Sequence, residues 1–229
     1  MQVWNHFRTI TRHRHTVIRL CFRAGIGWQG LGHDLSKYSP VEFWIGAKYY
    51  QGDHSPNEAE RAAKGYTSAW LHHKGRNRHH HEYWTDYNNQ SRMVEPVKMP
   101  LNYVIEMFCD RVAACKTYQG DRYNDGKPLE YYRWGKGRHL MHGETDAFLE
   151  KLLVLLAEQG EEAAFAWIRQ YRRTHTDYSI KNSSGAVRGI RKAVYPPYAL
   201  NHTEDVFLSG LLTCWRQTDP QNRLLPISI

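Results

Sequence analysis

Several things are scarce in this 229-residue chain, and each scarcity closes a door. No apolar run approaches the roughly 18 residues needed to cross a bilayer, and the first residues are too polar for a signal peptide, so a soluble, cytoplasmic protein without membrane attachment is expected. Cysteine is sparse: Cys21, Cys109, Cys115 and Cys214 include no C-x-x-C pair and no framework of close spacings. That excludes a disulfide scaffold or a thiolate zinc finger, and suits reduced, small core residues. No strand-like alternation is long enough to assign and no internal repeat is present, which argues against a sandwich, a barrel or a solenoid.

What the chain has in excess is histidine, aromatics and positive charge. It carries 14 histidines, 8 tryptophans, 15 tyrosines and 7 phenylalanines, with a formal charge of +8. A basic balance favours anionic partners such as nucleotides, phosphate esters or nucleic acid, without choosing among them. Neutral imidazole is the commonest metal ligand, so the histidines are the sharper clue.

The helical reading is clear in most places. Over residues 5 to 24, Ile10, Val17, Leu20 and Ala24 fall within about 60° of His13 on a 3.6-residue wheel, while Arg8, Arg12, Arg19 and Arg23 lie elsewhere. His13 therefore sits inside the apolar stripe, whereas His15 is roughly opposite. "SPVE" (Ser39 to Glu42) and "SPNE" (Ser55 to Glu58) both read as capping boxes with proline at the first helical position. The second should launch one helix running to about Gly75. A proline-flanked linker, "VEPVKMP", precedes a helix at about 101 to 118 whose less apolar side carries Asp110. Two further helices are expected at 144 to 159 and 161 to 173, divided by Gly160. The expected fold class is all-α: residues 1–178 read as a helical domain, and residues 179–229, rich in turn formers, as a C-terminal extension.

Two stretches carry the chemistry. In "GLGHDLSKYSP" (30 to 40), His33 and Asp34 are adjacent, so on a helix they diverge by about 100° and converge only on a point off its axis, as a metal is. Lys37, three residues on, would lie on the same side and could meet a phosphate. In "HKGRNRHHHEYW" (73 to 84), His73, His79 and His80 are candidate ligands, with His81 the spare; Lys74, Arg76 and Arg78 are interleaved as candidate phosphate contacts. Taken singly, each has a plainer explanation: a histidine on an apolar stripe is usually core, and a helix acid usually pairs with a surface cation. Tyr83, Trp84, Tyr87, Tyr131, Tyr132 and Trp134 could stack on a nucleobase, though core and rim packing explains most such residues.

Ordered along the chain, the candidates read H…HD…H…H…D: His13, His33, Asp34, His73, His79 or His80, Asp110. This order resembles the HD-domain superfamily of metal-dependent phosphohydrolases, especially its two-metal members. "HDLSKYSPVEF", "WLHHKGRNRHHHEYW" and "MFCDRVAA" resemble signature stretches of the DUF5662 family of uncharacterised bacterial proteins, over about residues 5 to 170. The superfamily resemblance implies an HD-like helical bundle holding one or two divalent transition metals. His13, His33, Asp34 and Asp110 would surround the first, and His73 with His79 or His80 would complete a second. Mixed histidine and aspartate ligation suits Mn, Fe, Co, Ni or Zn better than Ca. The implied reaction is hydrolysis of a phosphate monoester or diester, with a nucleotide the expected substrate class, Asp34 orienting or deprotonating the water and Lys37 binding phosphate.

Three rivals are kept. The same ligands loaded with iron support oxygen-dependent cleavage in some HD-like enzymes. "LHHKGRNRHHHEYW" superficially resembles an HNH nuclease core, which needs strands near residue 72. A basic helical protein binding nucleic acid or a partner would need no metal and would bind in a salt-sensitive way. Homo-oligomerisation is compatible with all of them.

Overall fold

The computed structural model describes residues 1–52 and 55–178; the expected C-terminal extension lies outside these residues. It is mostly helical. Helix α1 (Val3–Ala24) is followed by a single turn, α2 (Gly27–Gly30), and then by α3 (Pro40–Tyr49), α4 (Pro56–Lys64) and α5 (Ser68–Lys74). A two-stranded antiparallel hairpin, β1 (Thr85–Asn88) and β2 (Met93–Pro96), leads to α6 (Leu101–Gln119), α7 (Lys127–Gly135) and α8 (Gly143–Thr174). No helix among the described residues is long and apolar enough to cross a membrane.

The stripe on α1 is the one the periodicity indicates: His6, Ile10, His13, Val17, Leu20, Cys21 and Ala24 are buried. The helix stops at Gly25, whose backbone is left-handed, with the Ile26 N–H bonding back to Cys21 O at 2.9 Å. Helix α6 runs against this stripe and is itself covered by α8, so Val104, Ile105, Phe108 and Val112 meet Leu149, Leu152, Leu153 and Phe165 in the centre of the core. Three of the four cysteines, Cys21, Cys109 and Cys115, are buried and free.

Three expectations need correction. First, the helix expected from Pro56 to about Gly75 is two helices, because Gly65 turns left-handed (φ 78°) and Thr67 opens α5 by accepting from Trp70 N. Second, Ser39 occupies the N-cap of α3 but its side chain makes no capping bond, and Glu42 is turned away toward histidines. Third, the segment read as a linker includes β2, paired in register from Thr85 with Pro96 to Asn88 with Met93. The hairpin's outward, half-polar residues conceal the period of two. The expected division at Gly160 is present: the backbone there is non-helical (φ 80°, ψ 171°), so α8 consists of two helical segments meeting at a kink.

The α4–α5 joint is held by Glu60, which is fully buried and accepts from Thr67 Oγ1 and Ser68 Oγ at 2.7 Å, Lys64 Nζ at 2.9 Å and Ala69 N at 3.4 Å. Burial raises its pKa, but the bonds from Ser68, Thr67, Lys64 and Ala69 outweigh that and bring it from 4.5 to about 2. A carboxyl whose pKa is lower folded than unfolded contributes stability above its unfolded value, and that contribution disappears as pH falls through the folded one. Glu60→Gln is therefore expected to cost about 1–2 kcal/mol at pH 7. Between pH 4.5 and about 2 the gap between variant and wild type should close; urea melts across that range test it, and a constant gap would show that the carboxylate's charge is irrelevant.

Candidate metal centre

The His33-Asp34 pair does not lie on a regular helix. Gly30 packs so closely on α1 that a Cβ there would stand 2.4 Å from Cys21 Cβ, which seats the turn directly on the helix carrying His13. Arg14 clamps it further, donating from Nε to His33 O at 3.0 Å and from its terminal nitrogen to Leu31 O. Asp34 then adopts a left-handed backbone (φ 55°), uncommon for a residue with a side chain, before a 3-10 turn over Leu35–Tyr38. That kink, rather than a helical offset, brings the neighbouring side chains together: His33 Nε2 is 3.3 Å from Asp34 Oδ2. The turn closes with the Lys37 N–H donating to Asp34 O at 3.0 Å, and Lys37 Nζ stands 2.7 Å from the same carboxylate oxygen, Oδ2.

Two donor sets meet at Asp34. The first combines His13 from α1, His33, Asp34 and Asp110 from α6; the second combines Asp34 with His73 at the end of α5 and His79 and His80 from the turn beyond it. In the first, His13 Nε2 is 3.0 Å from Asp110 Oδ1 and 3.6 Å from Asp34 Oδ2, and His33 Nε2 is 3.5 Å from Asp110 Oδ1. In the second, the other oxygen of Asp34 takes over: Oδ1 is 3.2 Å from His73 Nε2 and 3.5 Å from His79 Nε2, while His73 Nε2 and His80 Nε2 are 2.9 Å apart.

These spacings fit a cation. Donors about 2.1 Å from a shared metal stand roughly 3.0 Å apart at right angles and roughly 3.4 Å apart at tetrahedral angles. Moreover, His13 Nε2, His33 Nε2, His79 Nε2 and both Asp34 oxygens are buried without a well-aligned hydrogen bond. Buried polar atoms are almost always satisfied, and this gathering of poorly aligned ones around Asp34 has the chemistry of donors to a cation.

The far edges of the imidazoles are anchored. His33 Nδ1 donates to Glu106 Oε1 at 2.9 Å, and His79 Nδ1 lies 3.3 Å from the same oxygen. His73 Nδ1 donates to Glu42 Oε2 at 2.7 Å, with Ser36 Oγ at 3.2 Å, while His72 meets the other Glu42 oxygen at 2.6 Å. A carboxylate holding the Nδ1 proton leaves the Nε2 lone pair free for a metal and fixes the ring plane. Glu42 and Glu106 escaped the sequence reading. Glu106 stands one helical turn before Asp110, the only sequence signal for it; Glu42 was hidden by its plausible capping role.

Electrostatically the site is tight. Burial pushes the Asp34 carboxyl up, but His33, Lys37 and His73 hold it well below the usual range. Burial likewise disfavours charged His33, yet Asp34, Asp110 and Glu106 raise it well above the ordinary histidine value. Without a metal, protons and Lys37 carry the positive charge that the carboxylates require.

The site opens into a cavity of about 180 Å³ lined by residues including His6, Lys37, Trp70, Asp110, Arg111 and Tyr131. Of the rival ligands, His15 is exposed and His81, though buried, is outside both donor sets. Lys74, Arg76 and Arg78 do not line the cavity; Arg76 and Arg78 are exposed, with Arg78 directed to Tyr103. They diverge because Gly75 and the turn through Asn77 are irregular, so alternation in sequence does not place them on the histidines' side. Among the aromatics singled out for stacking, Tyr131 lines the cavity, whereas Tyr132 is core and Tyr87 is exposed.

No curated protein and no solved structure gives a significant match to this chain. Residues 2–155, which span both donor sets and the helices carrying them, match the model described as a family of unknown function (DUF5662), and the chain belongs to that family.

Proposed function

We propose that the protein is a metal-dependent phosphohydrolase acting on a phosphate monoester or diester, with nucleotides the first class to try. The observation that carries this reading is the shared Asp34, one oxygen serving each of two four-donor sets at a cavity wall. Divalent transition metals bound there would acidify water toward a pKa of about 7 and neutralise charge on phosphoryl oxygens. The chain's own residues supply the rest. Asp34 spaces the two sets and accepts from a nucleophilic water; Glu42 and Glu106 keep the imidazoles in the ligating tautomer. Lys37, on the cavity wall beside Asp34, is within a side-chain rotation of a phosphate seated on the donors.

The test is elemental analysis of the full chain purified without chelator or polyhistidine tag, beside the His33→Ala, Asp34→Ala double variant. About one or two equivalents of a transition metal in the wild type, absent from the variant, are expected. Metal-loaded wild type should then cleave p-nitrophenyl phosphate or its bis ester. Oxygen uptake by iron-loaded protein, with no phosphatase activity under any metal, would instead select the oxygenase reading. No metal after reconstitution with Mn, Fe, Co, Ni and Zn would leave the binding protein. The nuclease reading lacks support from the hairpin, since Thr85–Asn88 and Met93–Pro96 contain no histidine and follow the histidine cluster.

A further inference from the structure

Among the described residues, two permanent cations line the cavity, and they are in opposite situations. Lys37 is committed to Asp34 at 2.7 Å. Arg111, the residue after Asp110 on α6, has no carboxylate within ion-pairing distance among the described residues, and its Nε is buried without a hydrogen-bond partner. Its guanidinium carbon stands 6.0 Å from the ring centroid of Tyr132. The groups around it do not neutralise it. Glu82 lines the same part of the cavity but contacts His81 Nδ1 at 3.2 Å, and its Oε2 lacks a hydrogen-bond partner. His81 and His139 pack edge to face with centroids 5.2 Å apart. Burial, then the charge of Arg111, lowers His139 to about 4, so it is a neutral hydrogen-bonding group near pH 7.

A half-buried guanidinium with an unused N–H and, among the described residues, no carboxylate within ion-pairing distance costs free energy that an anion would recover, and its planar fork matches a phosphate better than an ammonium does. The geometry points to Arg111 as the anchor of a second phosphate subsite in the same cavity as the donor sets, so that the substrate carries a second phosphoryl group besides the one cleaved. This assignment rests on the hydrolase reading for which phosphate is scissile, but not for the existence of the anion site. Sequence alternation pointed to Lys74, Arg76 and Arg78 for this role; the fold gives it to a cation hidden behind Asp110.

The experiment is calorimetric titration of inorganic phosphate into the full-length chain, metal-free and zinc-reconstituted, for wild type and Arg111→Gln, with zinc content measured in parallel. Expected are about two equivalents of phosphate on the zinc-loaded wild type and about one on the variant, with zinc content unchanged. In the metal-free pair, the variant should bind phosphate about tenfold or more weakly. Arg111→Lys, which keeps charge but not the fork, should fall between them, and matching circular dichroism melts show that each variant is folded. Superimposable isotherms for wild type and Arg111→Gln, or no phosphate bound by wild type in either form, would overturn the subsite. Acetate competing as well as phosphate would also overturn it, by making the site a carboxylate site. Should the wild type take up no zinc, the hydrolase reading fails separately, and the metal-free pair still decides Arg111.

Discussion

Asp34→Asn is expected to empty both donor sets at once. Asparagine preserves the volume and one oxygen, but replaces the other with an amide nitrogen that cannot ligate and removes the negative charge both sets share. Every other ligand belongs to one set: Asp110 and His13 to the first, His80 and His73 to the second. The comparison is therefore internal. Metal content should fall to background in Asp34→Asn, but only to about half in Asp110→Asn or His80→Ala if the wild type holds two ions. Phosphatase activity in Asp34→Asn should fall by about a thousandfold or more, since several kcal/mol of charge stabilisation is lost with the ions. The variant also leaves Lys37 without its 2.7 Å partner, so a parallel melt is needed to separate unfolding from loss of ligation. A folded Asp34→Asn protein with wild-type metal content would disprove the shared-carboxylate centre.

Glu106→Gln tests the centre from behind. Its carboxylate touches the Nδ1 edges of His33, in the first set, and His79, in the second, and accepts from Gln29 Nε2 at 2.6 Å. Both ring nitrogens face Oε1, so a glutamine either keeps its oxygen there and sets its own NH2 against the Gln29 amide, or flips and presents an N–H to both rings, favouring the tautomer whose Nε2 carries the proton and cannot bind metal. The expected result is a 10- to 100-fold loss of metal affinity, the usual cost of removing an outer partner of a ligating histidine. Both sets should weaken. Glu42→Gln, which touches only His73 among the ligands, should weaken the second set and spare the first. Competition with a chromophoric chelator resolves the two. Equal losses at both sets in the two variants would show that the carboxylates act through general stability instead of through particular rings.

How much of this was legible beforehand differs by residue type. The candidate donors His13, His33, Asp34, His73, His79, His80 and Asp110, which the fold gathers into two groups, could be chosen from the sequence because a metal donor must be one of a few residue types, and because helical periodicity placed His13 inward. Glu42 and Glu106 could not be separated from ordinary helix acids, since what distinguishes them is the ring nitrogen they face. Lys74, Arg76 and Arg78 were misplaced for a related reason: proximity along a turn says nothing about direction once the backbone leaves a regular period.

Local propensity, periodicity and residue chemistry are enough to give the helical character, the span and inward face of α1 and α6, the break at Gly160 and the candidate donor residues. Tertiary structure decided which donors share a centre. Only the left-handed Asp34, pressed onto α1 through Gly30 and held by Arg14, lets adjacent residues converge. Only the packing of α6 against α1 and the turn that follows it brings Asp110 to His13 and Glu106 to His33. Those are long-range juxtapositions, fixed by burial of the core, and no local pattern encodes the direction in which a side chain will meet a partner seventy residues away.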